Sequence, residues 1–560
     1  MAVARDGQGA ATQTVEDLFQ RLEQLNDIGA SLSAERDINR LLESILLAAK
    51  AITRADGGTL YLLTEEDGTK RLKFEIMRTH SLSIAMGGTT GTPIPFYPIH
   101  LYNKDGEPNN QMVAAFAALT GKTVNIADAY TAEGFDFSGT RSFDKKTGYR
   151  SKSFLTVPMK NHENEIIGVL QLINSQAPVS AEVVAFSNSD QRLAESLASQ
   201  AAIALTNRQL INQLEVLFES FIAMINTAID EKSPYTGGHC QRVPELTMML
   251  AEAVNETKAG PLSDFVMSDK DRYELKIAGL LHDCGKVTTP VHVVDKATKL
   301  ESIYDRIHLV DTRFEVLRRD AQIELLKNIA ELQRQGLDEV SLRQRTNQLE
   351  QAFKTHLRLL DQDREFLRKC NIGGEFMAAE AQEQVRRIAN YKWLDQSGHS
   401  ANFLTEDEVL CLCIPRGTLT DKEREIINYH IVATIKMLEA LPWPKHLRHV
   451  PEYAGGHHER MDGKGYPRGL TREQMPVQAR VMGIADIFEA LTARDRPYKK
   501  GKTLTESLQI LGKFKETGHI DPDLFDVFIR RKVYQRYADK FLDPHQVDCV
   551  DESQIPGYSP

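Results

Sequence analysis

The stretch HHERMDGKGYP, residues 457–467, decides the reading of this chain. Two adjacent histidines, an acidic residue and a Gly-Lys-Gly-Tyr-Pro turn are poor packing material. Adjacent helical residues stand about 100° apart, so His457 and His458 do not grip one ion from one face. They suit a centre of two metals, where each neighbour reaches a different ion. Upstream, His282-Asp283-Cys284-Gly285-Lys286 spells an HDxGK motif. Its aspartate can bridge two ions. Its lysine, three residues on, can turn an ammonium into the same pocket. Together the two stretches point to a metal centre acting on a phosphate ester.

Other candidate ligands lie in motifs of their own. His239 opens HCQRV, His430 closes EIINYH, and Asp486 sits in MGIADIFEAL. The set is imidazole and carboxylate without thiolate, which suits octahedral iron or manganese better than structural zinc. Two divalent ions about 3.5–4 Å apart activate water for in-line attack on phosphorus and neutralise charge on its equatorial oxygens. Asp283 and Lys286 are therefore the candidate catalytic residues. Lys286 is also a candidate clamp for a phosphate oxygen. Gly463 and Gly465 free the backbone to approach a ligand or take positive φ, and Pro467 stiffens the exit. Gly463, Gly465, Tyr466 and Pro467 are expected to border the substrate, with Arg496 and Lys499 as further phosphate contacts.

Between the two motifs runs a helical stretch near 300–415, rich in charge, with long amphipathic segments at 301–336 and 338–370 that break at Gly336. Either a lid or partner surface, or a passive excursion, would fit it. From 235 onward helical periodicity dominates and strand signals are scarce.

The N-terminal part changes period. Residues 15–53 space Leu18, Leu22, Leu25, Ile28, Leu41, Leu42, Ile45 and Leu46 as helix. Four stretches then read as strands: GGTLYLLTE (57–65), RLKFEIMRT (71–79), KSFLTVPMK (152–160) and EIIGVLQLIN (165–174). A returning helix near 188–205 completes an α+β domain. From 188 to 230 no Gly or Pro interrupts the helix. A seam of Ala204, Asn207, Ile211, Leu214, Phe218, Phe221, Ile225 and Ala228 steps by three and four, the coiled-coil repeat. A parallel homodimer, or a connecting helix packed on its own domain, follows from it.

At 560 residues the chain needs two or three domains. Its net charge of −10 argues against non-specific binding to long nucleic acid, which needs a basic surface. No apolar run approaches the roughly 18 residues of a membrane span. Residues 1–14, MAVARDGQGAATQT, lack the apolar core of a signal peptide. Six cysteines in a chain this long make no disulfide framework. The cytoplasm is the expected compartment.

The N-terminal domain, 15–190, resembles GAF domains, a small-molecule sensor fold. The stretch FDKKTGYRSKSFLTVPM (143–159) with GVLQLIN (168–174) is similar to GAF domains that bind cyclic nucleotides, although Arg141-Ser142 stands where the motif opens with Asn-Lys. A small-molecule or cyclic nucleotide ligand, or a domain that only packs and dimerises, is implied. A coiled-coil linker over 188–230 follows. Residues 215–545 resemble the HD-GYP family. DEKSPYTGGHCQRV (230–243), HDCGK, GTLTDKEREIINYH (417–430), HHERMDGKGYPRGL (457–470) and RVMGIADIFEALTARDRPY (480–498) carry the likeness. It implies an all-helical HD bundle and ligands His239, His282, Asp283, His430, His457, His458 and Asp486. It also implies two divalent metals, and hydrolysis of cyclic di-GMP to pGpG or GMP. The separation of 147 between Asp283 and His430 exceeds the family's and leaves His308, in YDRIHLV, as a competitor for that ligand position. Glu489 stands where an aspartate is common. Another cyclic dinucleotide or a nucleotide phosphate as substrate, or a catalytically silent sensor or binding protein that signals through partners, are the alternatives.

Overall fold

The computed structural model describes residues 6–178, 180–232, 238–374, 376–395, 397–493 and 501–559, with side chains from residue 19 onward. Two compact units divide at Phe218/Glu219.

The first unit opens with helices α1 (Asp6–Ala34) and α2 (Ile38–Thr53). The helical run expected over 15–53 is thus broken. Asp37 takes an extended conformation and caps α2 through its carboxylate, which accepts the Arg40 N–H at 2.8 Å. Strands β1 (Ala55–Glu66), β2 (Thr69–Thr79), β3 (Ile84–Gly87) and β4 (Ile99–His100) follow, then α3 (Val113–Thr120), β5 (Val124–Ile126) and α4 (Ser138–Thr147). The unit continues through β6 (Phe154–Lys160), β7 (Ile166–Gln176), β8 (Val183–Val184) and the start of α5 (Asn188–Lys232). The strands form one antiparallel sheet in the order β3-β2-β1-β7-β6-β5, with β4 added to β2 and β8 to β7. The four long strands fall where the alternation puts them. Strands of two to four residues, β3, β4, β5 and β8, are too short to leave a periodic signal. The β1–β2 hairpin turns on Asp67-Gly68, both at positive φ, as a two-residue Asp-Gly loop requires. One face of the sheet (Leu60, Ile76, Leu155, Val157, Leu170, Leu172) buries against the apolar sides of α2 and α5. The opposite face, through Tyr61 and Val169, packs against Ala114, Ala115, Ala117 and Ala118 of α3, so helices cover both sides of the antiparallel sheet in an α+β arrangement.

The second unit is helical. It comprises the end of α5, α6 (His239–Asn255), α7 (Asp269–Leu281), the one-turn α8 (Val291–Val294), α9 (Ile307–Arg334), α10 (Glu339–Asn371) and α11 (Ala379–Ala389). A small hairpin, β9 (Lys392–Leu394) with β10 (Ser400–Asn402), precedes α12 (Glu406–Leu412), α13 (Asp421–Glu439), α14 (Val450–Gly455) and α15 (Val477–Thr492). Helices α16 (Leu504–Glu516), α17 (Pro522–Arg530) and α18 (Val533–Phe541) close the chain. The hairpin is the one departure from the helical expectation among the described residues.

Helices α9 and α10 form the antiparallel pair anticipated around Gly336, whose φ of +67° makes the turn between them. Their base has a core of its own, built on Phe314, Leu360, Leu367, Val385, Ile388 and Phe403. Residues 317–359 contain no buried residue. The base is tied to α13 by Lys296, whose ammonium lies 2.8 Å from both oxygens of Glu423. Glu423 also completes the capping box with Thr420 that starts α13. The long excursion therefore returns the chain to the helix that carries His430.

Candidate metal centre

Five local structures bring the seven expected ligands together. His239 is the first residue of α6. His282 caps the end of α7, and Asp283 precedes a 3-10 turn, Cys284–Thr288. His430 lies within α13. His457 and His458 sit in a turn just after α14, not on a helix, because Gly455-Gly456 end it. Asp486 is on α15. Gly285 explains the glycine of HDxGK: a Cβ there would stand 2.0 Å from the His430 carbonyl oxygen. Its N–H instead donates to Thr434 Oγ1 at 2.9 Å. The absent side chain lets the turn lie directly on α13.

The donor atoms form three overlapping sets, each within 4.8 Å: His239, His282 and Asp486; His282, Asp283 and His457; His430, His457 and His458. Asp283 stands between the ends. Its Oδ2 lies 3.1 Å from His239 Nε2 and 3.2 Å from His282 Nε2. Its Oδ1 lies 3.2 Å from His430 Nε2. One pole is thus His239, His282 and Asp486, and the other is His430, His457 and His458. His308 is exposed on α9 and joins none of these sets.

The imidazoles are oriented for coordination. Nδ1 of His282 lies 2.7 Å from the Gly279 carbonyl, Nδ1 of His430 2.5 Å from that of Ile427, and Nδ1 of His457 2.6 Å from that of Ala454. A carbonyl only accepts, so each ring carries its proton on Nδ1 and turns an Nε2 lone pair inward. His239 does the same through a carboxylate: Glu489 Oε2 lies 2.6 Å from its Nδ1, and Arg242 Nε lies 2.7 Å from the other oxygen. Inward nitrogens crowd together, with His282 and His239 at 3.4 Å and His458 and His430 at 3.2 Å. Asp283 Oδ1 and His457 Nε2 are buried without a hydrogen-bond partner. Converging lone pairs and orphaned buried acceptors are costly unless a cation satisfies them. The donor set fits divalent metal ions.

Electrostatics agree. Burial pushes the His457 imidazole well below its ordinary range, with the His458 and His282 charges adding to the effect. Burial likewise takes His458 down to about 4. Both therefore present neutral rings, the form that binds a metal. Burial would raise Asp283, but the Lys286 ammonium and His282 hold it well below the carboxylate range. For His239, burial is outweighed by Glu489, Asp283 and Asp486, which favour positive charge at that spot. Lys286 Nζ lies 2.5 Å from Asp283 Oδ2, so its ammonium faces the cluster from the 3-10 turn.

The GYP loop braces the second pole. Tyr466 stacks on His458 with centroids 4.8 Å apart and planes 19° off parallel. A Cβ on Gly465 would meet Arg460 N at 2.3 Å and Glu459 Cα at 2.5 Å, so this glycine serves close approach of the loop to its own chain. Gly463 takes φ +73°, and the Tyr466–Pro467 bond is cis. Glu459, buried at the base, accepts the N–H groups of Arg468 at 2.7 Å and Leu470 at 2.9 Å. Arg496 and Lys499 lie outside the described residues. Sequence reading missed the loop clamp by Glu459, the Gly285 contact with α13 and the pairing of Arg242 with Glu489. Of these, only the acidic residue one turn after Asp486 left a signal, because residues three apart share a helix face.

Comparison with known proteins places these parts. Residues 37–205 match the GAF domain family. Residues 236–356 and 405–524 each match HD domain families, on either side of residues 357–404. Among curated relatives, a 3′3′-cGAMP-specific phosphodiesterase of Vibrio cholerae is 44% identical over 81 residues, 14% of this chain and 19% of the relative. A cyclic di-GMP phosphodiesterase of Pseudomonas aeruginosa is 37% identical over 114 residues, 20% and 26% of the two chains. One from Thermotoga maritima is 28% identical over 199 residues, 31% and 52%. The chain thus spans about half or less of the length of these relatives. The chain therefore combines a match to the GAF domain family with two to HD domain families, and the HDxGK and GYP residues set in this helical bundle give it its likeness to the HD-GYP family.

Proposed function

We propose that this protein is a metal-dependent phosphodiesterase that hydrolyses cyclic di-GMP to pGpG or GMP. The observation that carries the reading is the placement of Asp283, one oxygen toward His239 and His282 and the other toward His430. A carboxylate so placed would be shared between the two sets of histidines and could serve a cation held by either. His239, His282 and Asp486 would hold one ion, His430, His457 and His458 the other, with iron or manganese the expected occupants. Two such ions supply the Lewis acidity and the activation of water that in-line displacement at phosphorus needs.

The chain's own groups do the rest. The Lys286 ammonium binds a non-bridging phosphate oxygen and stabilises the charge that grows there. Glu489 and the three backbone carbonyls fix imidazole orientation, so the donors cost little reorganisation during the reaction. Tyr466 holds His458 in place and, with Gly463 and Pro467, borders the substrate.

The GAF-like domain is proposed as a regulator that takes a small ligand, and α5 as the link to the enzyme. Along α5, Ile203, Asn207, Leu210, Leu214, Leu217, Phe221 and Met224 advance by alternating steps of four and three. The six apolar members are between 43% and 64% exposed. This stripe supports a parallel homodimer with Asn207 fixing its register. It runs beside the seam read from sequence, where Ala204, Phe218 and Ile225 are half-buried. No described helix is long and apolar enough to cross a membrane.

The test is hydrolysis of cyclic di-GMP by the purified chain, loaded anaerobically with iron(II) or with manganese, beside the double variant His282→Ala/Asp283→Ala. Metal-dependent release of pGpG or GMP, absent in the double variant, is expected. Turnover of 3′3′-cGAMP in preference would shift the substrate and keep the site. No turnover of any cyclic dinucleotide by the metal-loaded chain would overturn the reading.

A further inference from the structure

The last residue of α5 reaches the catalytic turn. Lys232 Nζ donates to the carbonyl oxygen of Lys286 at 3.2 Å and to that of Val287 at 2.5 Å. Both carbonyls belong to the 3-10 turn Cys284–Thr288, which begins directly after Asp283. A 3-10 turn has poorer hydrogen-bond geometry than an α-helix and leaves its last carbonyls in need of donors. A cationic side chain at that end is a natural cap. Within the turn, Lys286 N–H donates to Asp283 O at 2.9 Å, and Thr289 N–H to Lys286 O at 3.1 Å. The Lys286 carbonyl thus accepts from both Thr289 and Lys232.

The turn is held from two sides. At Gly285 it lies on α13, with the N–H on Thr434 and no room for a side chain. At Lys286 and Val287 it hangs on Lys232. The Lys286 side chain departs between these two anchors and ends 2.5 Å from Asp283 Oδ2. Val287 itself is 46% exposed, so the outer side of the turn has little packing to fix it.

We propose that Lys232 is a positioning residue: it holds the HDxGK turn and thereby sets where the Lys286 ammonium stands. The proposal rests on the phosphodiesterase reading for its kinetic consequence, but the anchoring itself does not. Since Lys232 terminates the helix that begins at Asn188, a shift of α5 along or about its axis is transmitted to Lys286 through two hydrogen bonds.

Lys232→Met, Lys232→Arg, Lys286→Met and the double variant Lys232→Met/Lys286→Met are compared in the full chain. Amide hydrogen exchange across 284–289, which needs neither metal nor substrate, is expected to quicken about tenfold in Lys232→Met and to return toward wild type in Lys232→Arg. In the metal-loaded enzyme, Lys232→Met is expected to lower kcat/KM about 10- to 100-fold with bound metal and helical content unchanged. In the Lys286→Met background it should cost little more. Unchanged exchange across 284–289 would overturn the anchoring. A kinetic loss as large without Lys286 as with it would overturn the positioning role and leave a structural one. If the wild type turns over no cyclic dinucleotide, the exchange result still decides whether Lys232 holds the turn.

Discussion

His239 Nδ1 and Glu489 Oε2 lie 2.6 Å apart, 250 residues distant in the chain. The contact pins the imidazole so that Nε2 faces Asp283, and Arg242 pins the glutamate in turn. Such outer contacts commonly govern metal affinity. Glu489→Gln should therefore weaken metal binding about 10- to 100-fold, measured by competition with a chelator. Glu489→Asp, one methylene shorter, should fall between. Affinity equal to wild type in Glu489→Ala would show that the contact is incidental.

The GYP loop should tolerate no side chain at 465. An added Cβ meets backbone atoms at 2.3–2.6 Å, not the flexible end of a side chain. Overpacking of this kind costs about 1–3 kcal/mol. Gly465→Ala should lower the melting temperature and reduce turnover together, since the displaced loop carries Tyr466 away from His458. Tyr466→Phe, which keeps the ring, should leave metal content unchanged, whereas Tyr466→Ala should loosen the second pole. Equal metal retention in the Tyr466→Ala and wild-type chains would remove the bracing role.

Much of this centre is legible in the sequence because its motifs are local. HDxGK, HH and GYP each place several functional groups within a few residues, so chain order alone reports them. The short strands Ile84–Gly87 and Val183–Val184 were not legible, since a strand of two to four residues has no period to detect. The seam of α5 was legible as a repeat but not to the residue: a three- or four-residue step allows neighbouring stripes, and only packing decides which is exposed. Asp283 with His430 was legible as a preference over His308. Its physical basis, Gly285 lying bare against the His430 carbonyl, exists only once the excursion over α9 to α12 has returned.

The exposed stripe on α5 should control assembly. Leu214→Glu with Phe221→Glu places like charges opposite one another in a parallel pair, at the positions 64% and 52% exposed. Sedimentation should show the wild type as a dimer and the double variant as a monomer, with helical content preserved. A monomeric wild type would contradict the proposed homodimer.

Stability should fall in acid through Asp521. This carboxylate is fully buried, caps α17 by accepting the Asp523 and Leu524 N–H groups at 2.9 and 3.1 Å, and pairs with Arg472 and Arg480. Burial alone would raise its pKa, but the Arg472 hydrogen bond and the Arg480 charge bring it below the usual range. A folded-state pKa below the unfolded one contributes stability that is complete above the unfolded value, about 3.9, and disappears as pH falls through the folded value. Asp521→Asn should cost about 1–3 kcal/mol at neutral pH, and the gap from wild type should narrow below about pH 4. Denaturant unfolding from pH 7 to 3 checks it; a gap independent of pH would exclude the linkage.

The most direct test of the two-pole centre is metal counting on three purified proteins: wild type, His239→Ala and His458→Ala. Elemental analysis after anaerobic loading with iron(II) should give about two ions per wild-type chain, since two-metal sites pair their ions. Each single-pole variant should keep about one, with Asp283 intact in both. Wild type with one ion, or variants that keep the full complement, would contradict the assignment of these histidines to two poles that share Asp283.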